Sequence, residues 1–176
     1  MQARSAKAGL SRALGHEEPA RTGGANHSTL GINLTGELYA KLSGKRCRPF
    51  NSDFKVRIDL KSQTRFYYPD AMVSCDQIEG DSTYLDNPII VAEILSPSTR
   101  RVDLGEKFEA YLSLPSLRAI LLIEPDFPHV TLHRRNSAGE FTIEVFKSLG
   151  TEIPFPEIGV SLPMTRLYER ITPTKS

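Results

Sequence analysis

Two acidic residues and one lysine occur in an order that could support metal-dependent hydrolysis. Asp70 follows a proline, Glu93 interrupts an apolar run, and Lys107 lies in a predicted helix. Two carboxylates can hold a divalent metal ion and an attacking water, and phosphodiesterases use such groups for hydrolysis. We therefore predict Asp70, Glu93 and Lys107 as candidate catalytic residues.

Glu93 is the unusual charge in the segment from Pro88 to Leu95, which is otherwise apolar on both faces. Such a run is typical of a central strand that is covered on both sides. An ionised carboxylate there is unfavourable unless it is paired, hydrogen-bonded, metal-bound or open to a cleft. The alternative is an exposed strand end at which Glu93 pairs with Arg100 or Arg101.

The other two residues also have ordinary interpretations. A Pro-Asp pair such as Pro69-Asp70 is usually a turn. Lys107 follows Asp103 by four positions, so the two could form a surface ion pair worth about 0.3 to 0.5 kcal/mol. Asp103 itself has the place of an N-cap in a capping box that ends at Glu106.

The elements that must position these residues follow from hydrophobic periodicity. Leucines every four positions predict an amphipathic helix over 28–43. An apolar strand, a helix after residue 103 and a second apolar strand at 118–124 predict a parallel βαβ unit. The class is therefore α/β with a mixed sheet. The other predicted elements are strands at 46–60, 66–75, 129–134 and 140–146, the last two as a hairpin, and a helical turn at 164–169.

Composition predicts one domain with no membrane span. A chain of 176 residues suits a flexible tail at 1–24, a domain at 25–170 and a tail at 171–176. Its net charge of +1 means that any nucleic-acid contact needs a local basic patch. Cys47 and Cys75 form no recognisable motif and are predicted to be free thiols of a cytoplasmic protein.

The three candidate residues together resemble the PD-(D/E)XK nuclease superfamily. The usual lysine stands two residues after the second acid, where this chain has Leu95. One branch, the Uma2 family of restriction endonuclease-like proteins, carries the lysine on the following helix, and this sequence is similar to it. The matching stretches are GGANHS (23–28), PDAMV (69–73), Pro88 with VAEILSPSTRRVD (91–103), Lys107, Tyr111 and LLIEP (121–125).

The resemblance implies a restriction endonuclease-like core, with a mixed central sheet flanked by helices and a C-terminal antiparallel hairpin. It implies that Asp70, Glu93 and the backbone carbonyl of Ile94 bind Mg²⁺, for which Mn²⁺ can substitute. Lys107 would orient the attacking water and offset negative charge in the transition state. The implied activity is hydrolysis of phosphodiester bonds in nucleic acid, with DNA as the preferred candidate.

The resemblance also implies supporting roles. Asp103 could hold Lys107, and His27 could contact a phosphate, although a lone histidine before a helix is more often a capping or packing residue. The nucleic-acid backbone could meet Arg100, Arg101 and Lys55, for which a solvated surface is the default.

A different class of function is a non-catalytic binding or assembly module that keeps the nuclease fold. Leu95, the near-neutral charge and the divergent N-terminal segment favour it. The hairpin at 129–146, if exposed, would suit a homodimer.

Overall fold

The structure, a computed structural model, describes residues 16–17 and 23–173; the rest of both predicted tails lies outside this range. The helices are α1 (Ala25–Leu42), α2 (Arg100–Asp103), α3 (Glu106–Leu112) and α4 (Met164–Leu167). The strands are β1 (His16–Glu17), β2 (Arg48–Asn51), β3 (Lys55–Leu60), β4 (Gln63–Tyr67), β5 (Ala71–Ser74), β6 (Tyr84–Leu85), β7 (Ile90–Ile94), β8 (Ala119–Ile123), β9 (Val130–Arg135), β10 (Phe141–Phe146), β11 (Glu152–Phe155) and β12 (Val160–Pro163).

A large mixed sheet forms the centre of the fold in the order β10-β9-β8-β7-β5-β2. Strands β7 and β8 run parallel, with Glu93 opposite Leu122, and α2 and α3 connect them. The predicted βαβ unit and the mixed α/β class are therefore confirmed. The other pairs in this sheet are antiparallel. All five residues of β7 are buried, as expected for a central strand.

The two faces of the large sheet pack into separate apolar cores. One core contains Leu30, Leu34, Leu38 and Leu42 of α1, the four leucines whose spacing predicted that helix. The other core lies on the α3 side of the sheet and includes Tyr111. Because β7 side chains alternate between the faces, Ile94 points into the α1 core and Leu95 into the α3 core.

A second, smaller sheet has the order β1-β4-β3-β6. The single strands predicted at 46–60 and 66–75 were wrong, because each is divided between the two sheets. Strands β2 and β5 belong to the large sheet, whereas β3 and β4 belong to the small one. At Pro69 the chain passes from β4 to β5, as a residue without an amide hydrogen allows. Strand β1 lies within the segment predicted as an N-terminal tail and pairs in parallel with β4.

The C-terminal part contains one predicted hairpin and one that was not predicted. Strands β9 and β10 form the expected antiparallel pair, and α4 corresponds to the predicted helical turn. Strands β11 and β12 form a further two-stranded sheet in the proline-rich segment. On β10, at the edge of the large sheet, Ile143 is 63% exposed and Val145 is 50% exposed. A homodimer through this surface stays a prediction.

Cys47 and Cys75 form a disulfide, so the prediction of two free thiols was wrong. The cause is the antiparallel pairing of β2 with β5, in which Arg48 lies opposite Ser74. The next residue beyond each of these is a cysteine, and the pairing brings the two together although they are 28 positions apart in sequence. None of the described helices is long and apolar enough to cross a membrane.

Candidate active site

Glu93 lies at the centre of a buried polar cluster beneath α3. Its side chain is fully buried, and its Oε1 atom is 2.8 Å from the Lys107 ammonium. The Tyr111 hydroxyl donates a hydrogen bond of 2.6 Å to the same oxygen. The alternative of an exposed glutamate paired with Arg100 or Arg101 was therefore wrong.

Lys107 reaches Glu93 from the helix rather than from the strand. It is fully buried in α3, and its ammonium is also 3.6 Å from Asp103 Oδ1. The ammonium lies 5.9 Å from the centre of the Tyr67 ring. Leu95, at the position where the related nucleases carry their lysine, is packed in the apolar core. The interpretation of Lys107 as a surface residue was thus wrong, although its i,i+4 contact with Asp103 exists.

Asp103 is not the N-cap of α3. It is the last residue of α2, and Gly105 holds the N-cap position without a side-chain hydrogen bond. A Cβ atom at Gly105 would lie 2.8 Å from the carbonyl oxygen of Arg101, so only glycine fits this tight connection between α2 and α3. The connection turns Asp103 inward to Lys107, where it is fully buried.

Asp70 lies next to the cluster, in the bend between β4 and β5. Ala71 pairs with Ala92, so Asp70 comes opposite Glu93 as the register continues. Its Oδ2 atom accepts a hydrogen bond of 2.7 Å from the backbone amide of Ile94. Only 6% of Asp70 is exposed, so this Pro-Asp pair is a buried anchor and not a surface turn.

His27 approaches Asp70 from the first helical turns of α1. Its Nε2 atom is 3.4 Å from Asp70 Oδ1. Gly24, not His27, is the N-cap of α1. A Cβ atom on Gly23 would lie 2.5 Å from the His27 ring, so the absence of a side chain at residue 23 lets the imidazole take this position. The GGANHS segment therefore places a histidine beside Asp70.

Tyr67 and Glu106 form a layer around the cluster that the sequence did not predict. The Tyr67 hydroxyl donates a hydrogen bond of 3.1 Å to Glu106 Oε1, and Arg65 pairs with the same oxygen. Burial, and then the hydrogen bond to Glu106, raise the pKa of Tyr67 to about 12. Tyr67 also meets the Tyr111 ring edge-on at 5.9 Å. For Tyr111, the spacing of four from Lys107 was the available signal, because it places both on one helix face.

The three basic residues predicted to meet a nucleic-acid backbone have different surroundings. Arg100 forms two hydrogen bonds with Glu124, of 2.9 and 2.5 Å, and the pKa of Arg100 is raised by them. Arg101 is exposed. The Lys55 ammonium lies 4.9 Å from the centre of the Phe66 ring and 5.9 Å from that of Tyr68.

The donor set at this site fits a hard divalent cation held largely by water and carboxylates. Among the residues that the structure describes, the buried charged side chains are Asp70, Glu93, Asp103 and Lys107, so carboxylates outnumber the buried lysine by three to one. A divalent cation would offset this excess, and Mg²⁺ needs no more than one or two carboxylates. Within residues 16–17 and 23–173, no group of three or more His, Cys, Asp or Glu side chains is placed to hold a metal.

A cavity of about 410 Å³ gives access to the His27 side of the site. Its wall includes Asn26 and His27 from α1, Leu95 and Pro97 after β7, and Asp126 after β8. The Asn26 amide donates a hydrogen bond of 2.9 Å to Asp126, which joins two sides of the wall.

A solved structure from Anabaena variabilis ATCC 29413 has a similar fold. It is described as a "putative nuclease belonging to DUF820", and it superposes with a TM-score of 0.66 at 21% sequence identity. The match covers 85% of this chain and 83% of that one. This likeness confirms the restriction endonuclease-like fold that the resemblance implied.

Two uncharacterised proteins of Synechocystis sp. (strain ATCC 27184 / PCC 6803 / Kazusa) are similar in sequence. One, slr1290, is 31% identical over 147 residues, which is 83% of this chain and 76% of the relative. The other, sll1609, is 31% identical over 103 residues, which is 57% of each chain.

The family model described as "Putative restriction endonuclease" matches residues 14–165. That range contains α1, the bend with Asp70, the strand of Glu93 and the helix of Lys107. The predicted family is confirmed: this chain belongs to the nuclease-like Uma2 family.

Proposed function

We propose that this protein is a Mg²⁺-dependent endonuclease of the PD-(D/E)XK type that hydrolyses phosphodiester bonds in nucleic acid, preferably DNA, in the cytoplasm. The single observation that carries the proposal is the contact between Lys107 and Glu93. Lys107 supplies from α3 the positive charge that a lysine at position 95 would supply from the strand. Burying a lysine and a glutamate costs free energy of desolvation, and a catalytic role is a reason to retain such a pair.

The protein groups divide the work of the site. Asp70 and Glu93, with the backbone carbonyl of Ile94, would hold the metal ion, for which Mn²⁺ can substitute. When bound, the metal supplies a water of lowered pKa and polarises the phosphodiester. The amide of Ile94 fixes Asp70, and the Tyr111 hydroxyl fixes Glu93. Each acid therefore has a donor that restricts its rotation.

Lys107 has a second task during the reaction. Its ammonium compensates Glu93 and Asp103 in the resting protein. It would orient the attacking water and offset the negative charge that grows on the phosphoryl oxygens in the transition state. Asp103 positions the ammonium from the preceding turn, and His27 positions Asp70 or contacts a phosphate.

Cleavage of supercoiled plasmid, single-stranded DNA and RNA with Mg²⁺ or Mn²⁺ tests the proposal. The wild-type protein should cut at least one of these substrates, and Asp70→Asn and Glu93→Gln should lower the rate about a hundredfold or more. Glu109→Gln is the matched control, because Glu109 lies on the same helix as Lys107 but is exposed. Equal cutting by Glu93→Gln and the wild type would contradict the proposal.

The second candidate function is a non-catalytic binding or assembly module. The complete burial of Glu93 and Lys107 favours it, because a paired interior carboxylate gives up contacts on meeting a metal. Titration calorimetry with Mg²⁺ separates the two functions. A nuclease site should produce a heat of binding that Glu93→Gln removes, whereas the module should produce none in either protein.

A further inference from the structure

The outer face of the small sheet carries an alternation of aromatic and cationic side chains, which we call the Phe66 face. It consists of Lys55 and Arg57 on β3, Phe66 on β4, Tyr68 just after β4, and Tyr84 on β6. The strand register puts Arg57 opposite Phe66 and Lys55 opposite Tyr84. Paired residues share a face of a sheet, so these side chains lie together.

The aromatic rings of this face are not part of the protein's apolar cores. Phe66, Tyr68 and Tyr84 are half-buried, and none of them belongs to either core or packs against one. Phe50 and Phe108 have similar exposure but do pack against the α3 core. Core packing therefore explains the positions of Phe50 and Phe108. It does not explain those of Phe66, Tyr68 and Tyr84.

The cations of the face lie close to these rings. The Lys55 ammonium is 4.9 Å from the centre of the Phe66 ring, and the Arg57 guanidinium is 4.5 Å from that of Tyr84. Phe66 and Tyr84 meet edge-on at 5.9 Å. Arg57 Nε donates a hydrogen bond of 2.8 Å to Asp86 Oδ1, which holds the guanidinium in place.

The charge of this region differs from that of the whole chain. The hairpin of residues 55–68 contains four basic residues and one acid, Asp59, whereas the protein as a whole has a net charge of +1. Of these residues, Lys55 and Arg57 lie on the Phe66 face, with Asp59 and Asp86 beside Arg57, whereas Arg65 lies opposite the buried Ile58 and pairs with Glu106. The positive charge that would meet phosphates on this face therefore comes from Lys55 and Arg57.

From these contacts we infer that the Phe66 face binds single-stranded nucleic acid and directs it to Asp70. The inference rests on the proposed function, because it names the form of substrate which that site would cut. Aromatic rings stack on unpaired bases while nearby cations meet the phosphates. A duplex keeps its bases stacked on one another, so its bases cannot use the rings in this way.

The chain itself connects this face with the candidate active site. Tyr68 ends the row of rings, Pro69 follows, and Asp70 is the next residue. A strand whose base stacks on Tyr68 would therefore be held two residues along the chain from Asp70, which is itself buried.

Fluorescence anisotropy with a short labelled oligothymidylate in EDTA measures this binding without cleavage. The double variant Phe66→Leu/Tyr84→Leu keeps apolar bulk but removes both rings, and should weaken binding about tenfold. Phe66→Tyr keeps a ring and should bind as the wild type does. Tyr39→Leu is the matched control, because Tyr39 is 71% exposed and lies on α1, outside the small sheet. Thermal unfolding checks that each variant is folded.

Three results would overturn the inference: no binding of the oligonucleotide, tighter binding of the matching duplex, or unchanged binding by the double variant. Binding and cleavage measured side by side, in Glu93→Gln and in the double variant, separate this inference from the proposed function. If binding depends on the rings but no substrate is cut, the nuclease proposal fails and the inference stands. If cleavage depends on Glu93 while the double variant binds normally, the inference fails and the nuclease proposal stands.

Discussion

The Glu93 cluster and the Phe66 face depart from ordinary burial preferences in opposite directions. In the cluster, Glu93, Asp103 and Lys107 are fully buried, and the nearly buried Asp70 lies next to them. On the Phe66 face, three aromatic rings remain half-exposed beside two cations. The two regions meet at Tyr68 and Asp70, which are separated by one proline.

The energetic consequences of these two departures are unequal. Removing one member of a buried charge pair leaves an uncompensated charge in a medium that solvates it poorly. A half-exposed ring loses little when it is replaced by another apolar group. Substitutions in the cluster should therefore affect folding strongly, whereas substitutions on the face should affect binding and leave folding nearly unchanged.

The largest effect is expected for Lys107→Met. This change leaves Glu93 and Asp103 without their buried cation and should lower the free energy of unfolding by about 3 to 5 kcal/mol. Urea denaturation followed by circular dichroism measures it. The double variant Glu93→Gln/Lys107→Met should recover part of the loss, because Asp103 is then the one carboxylate of the two that lacks its cation. Additive losses in the double variant would show that the two groups are not coupled.

A smaller effect is expected for Tyr111→Phe, which removes one hydroxyl and keeps the ring. Glu93 loses a charge-assisted hydrogen bond, and the free energy of unfolding should fall by about 1.5 to 3 kcal/mol. Tyr39→Phe, at an exposed position on α1, serves as the control and should change nothing measurable. Equal stability of the two variants would contradict the assigned role of the Tyr111 hydroxyl.

A weaker effect is expected from His133, which packs against the Phe108 ring on the α3 side of the large sheet. Burial lowers its pKa in the folded protein. The unfolded chain then binds the proton more readily, so this contribution to stability is complete above about pH 6.5 and is lost as the pH falls through the lowered pKa. The unfolding temperature should decrease between about pH 7.5 and 5.5, and less so in His133→Gln. The same decrease in both proteins would exclude His133 as its source.

The smallest effect on stability is expected for Phe66→Leu. A leucine at this half-exposed position should change the free energy of unfolding by no more than about 0.5 kcal/mol. Urea denaturation alongside Lys107→Met compares the two regions directly. A loss above about 2 kcal/mol would mean that Phe66 is a packing residue, and the contrast between the regions would disappear.

The sequence predicted the parts of the fold that local periodicity determines. The leucines of α1, the apolar run of β7 and the charge within it were each visible in a few consecutive residues. Glu93 could be recognised as anomalous because one acid stood in a fully apolar strand. Lys107 was predicted from its place after the two acids, and the family resemblance then gave it a role beside Glu93.

The features that were missed depend on contacts between distant segments. The disulfide follows from the register of β2 with β5, and the separation of the two sheets follows from the direction the chain takes at Pro69. The inward turn of Asp103 depends on the backbone at Gly105, where a capping box was the simpler interpretation. Hydrophobic patterns contain no information on such pairings.

The disulfide between Cys47 and Cys75 closes a covalent ring around part of the molecule. Lys55, Phe66 and Asp70 lie inside this ring, whereas Glu93 and Lys107 lie outside it. A trypsin cut after the exposed Lys61, in the turn between β3 and β4, would therefore leave a single covalent molecule. Two separate fragments would appear only after reduction, so the segment that carries Lys55, Phe66 and Asp70 can be nicked without being lost.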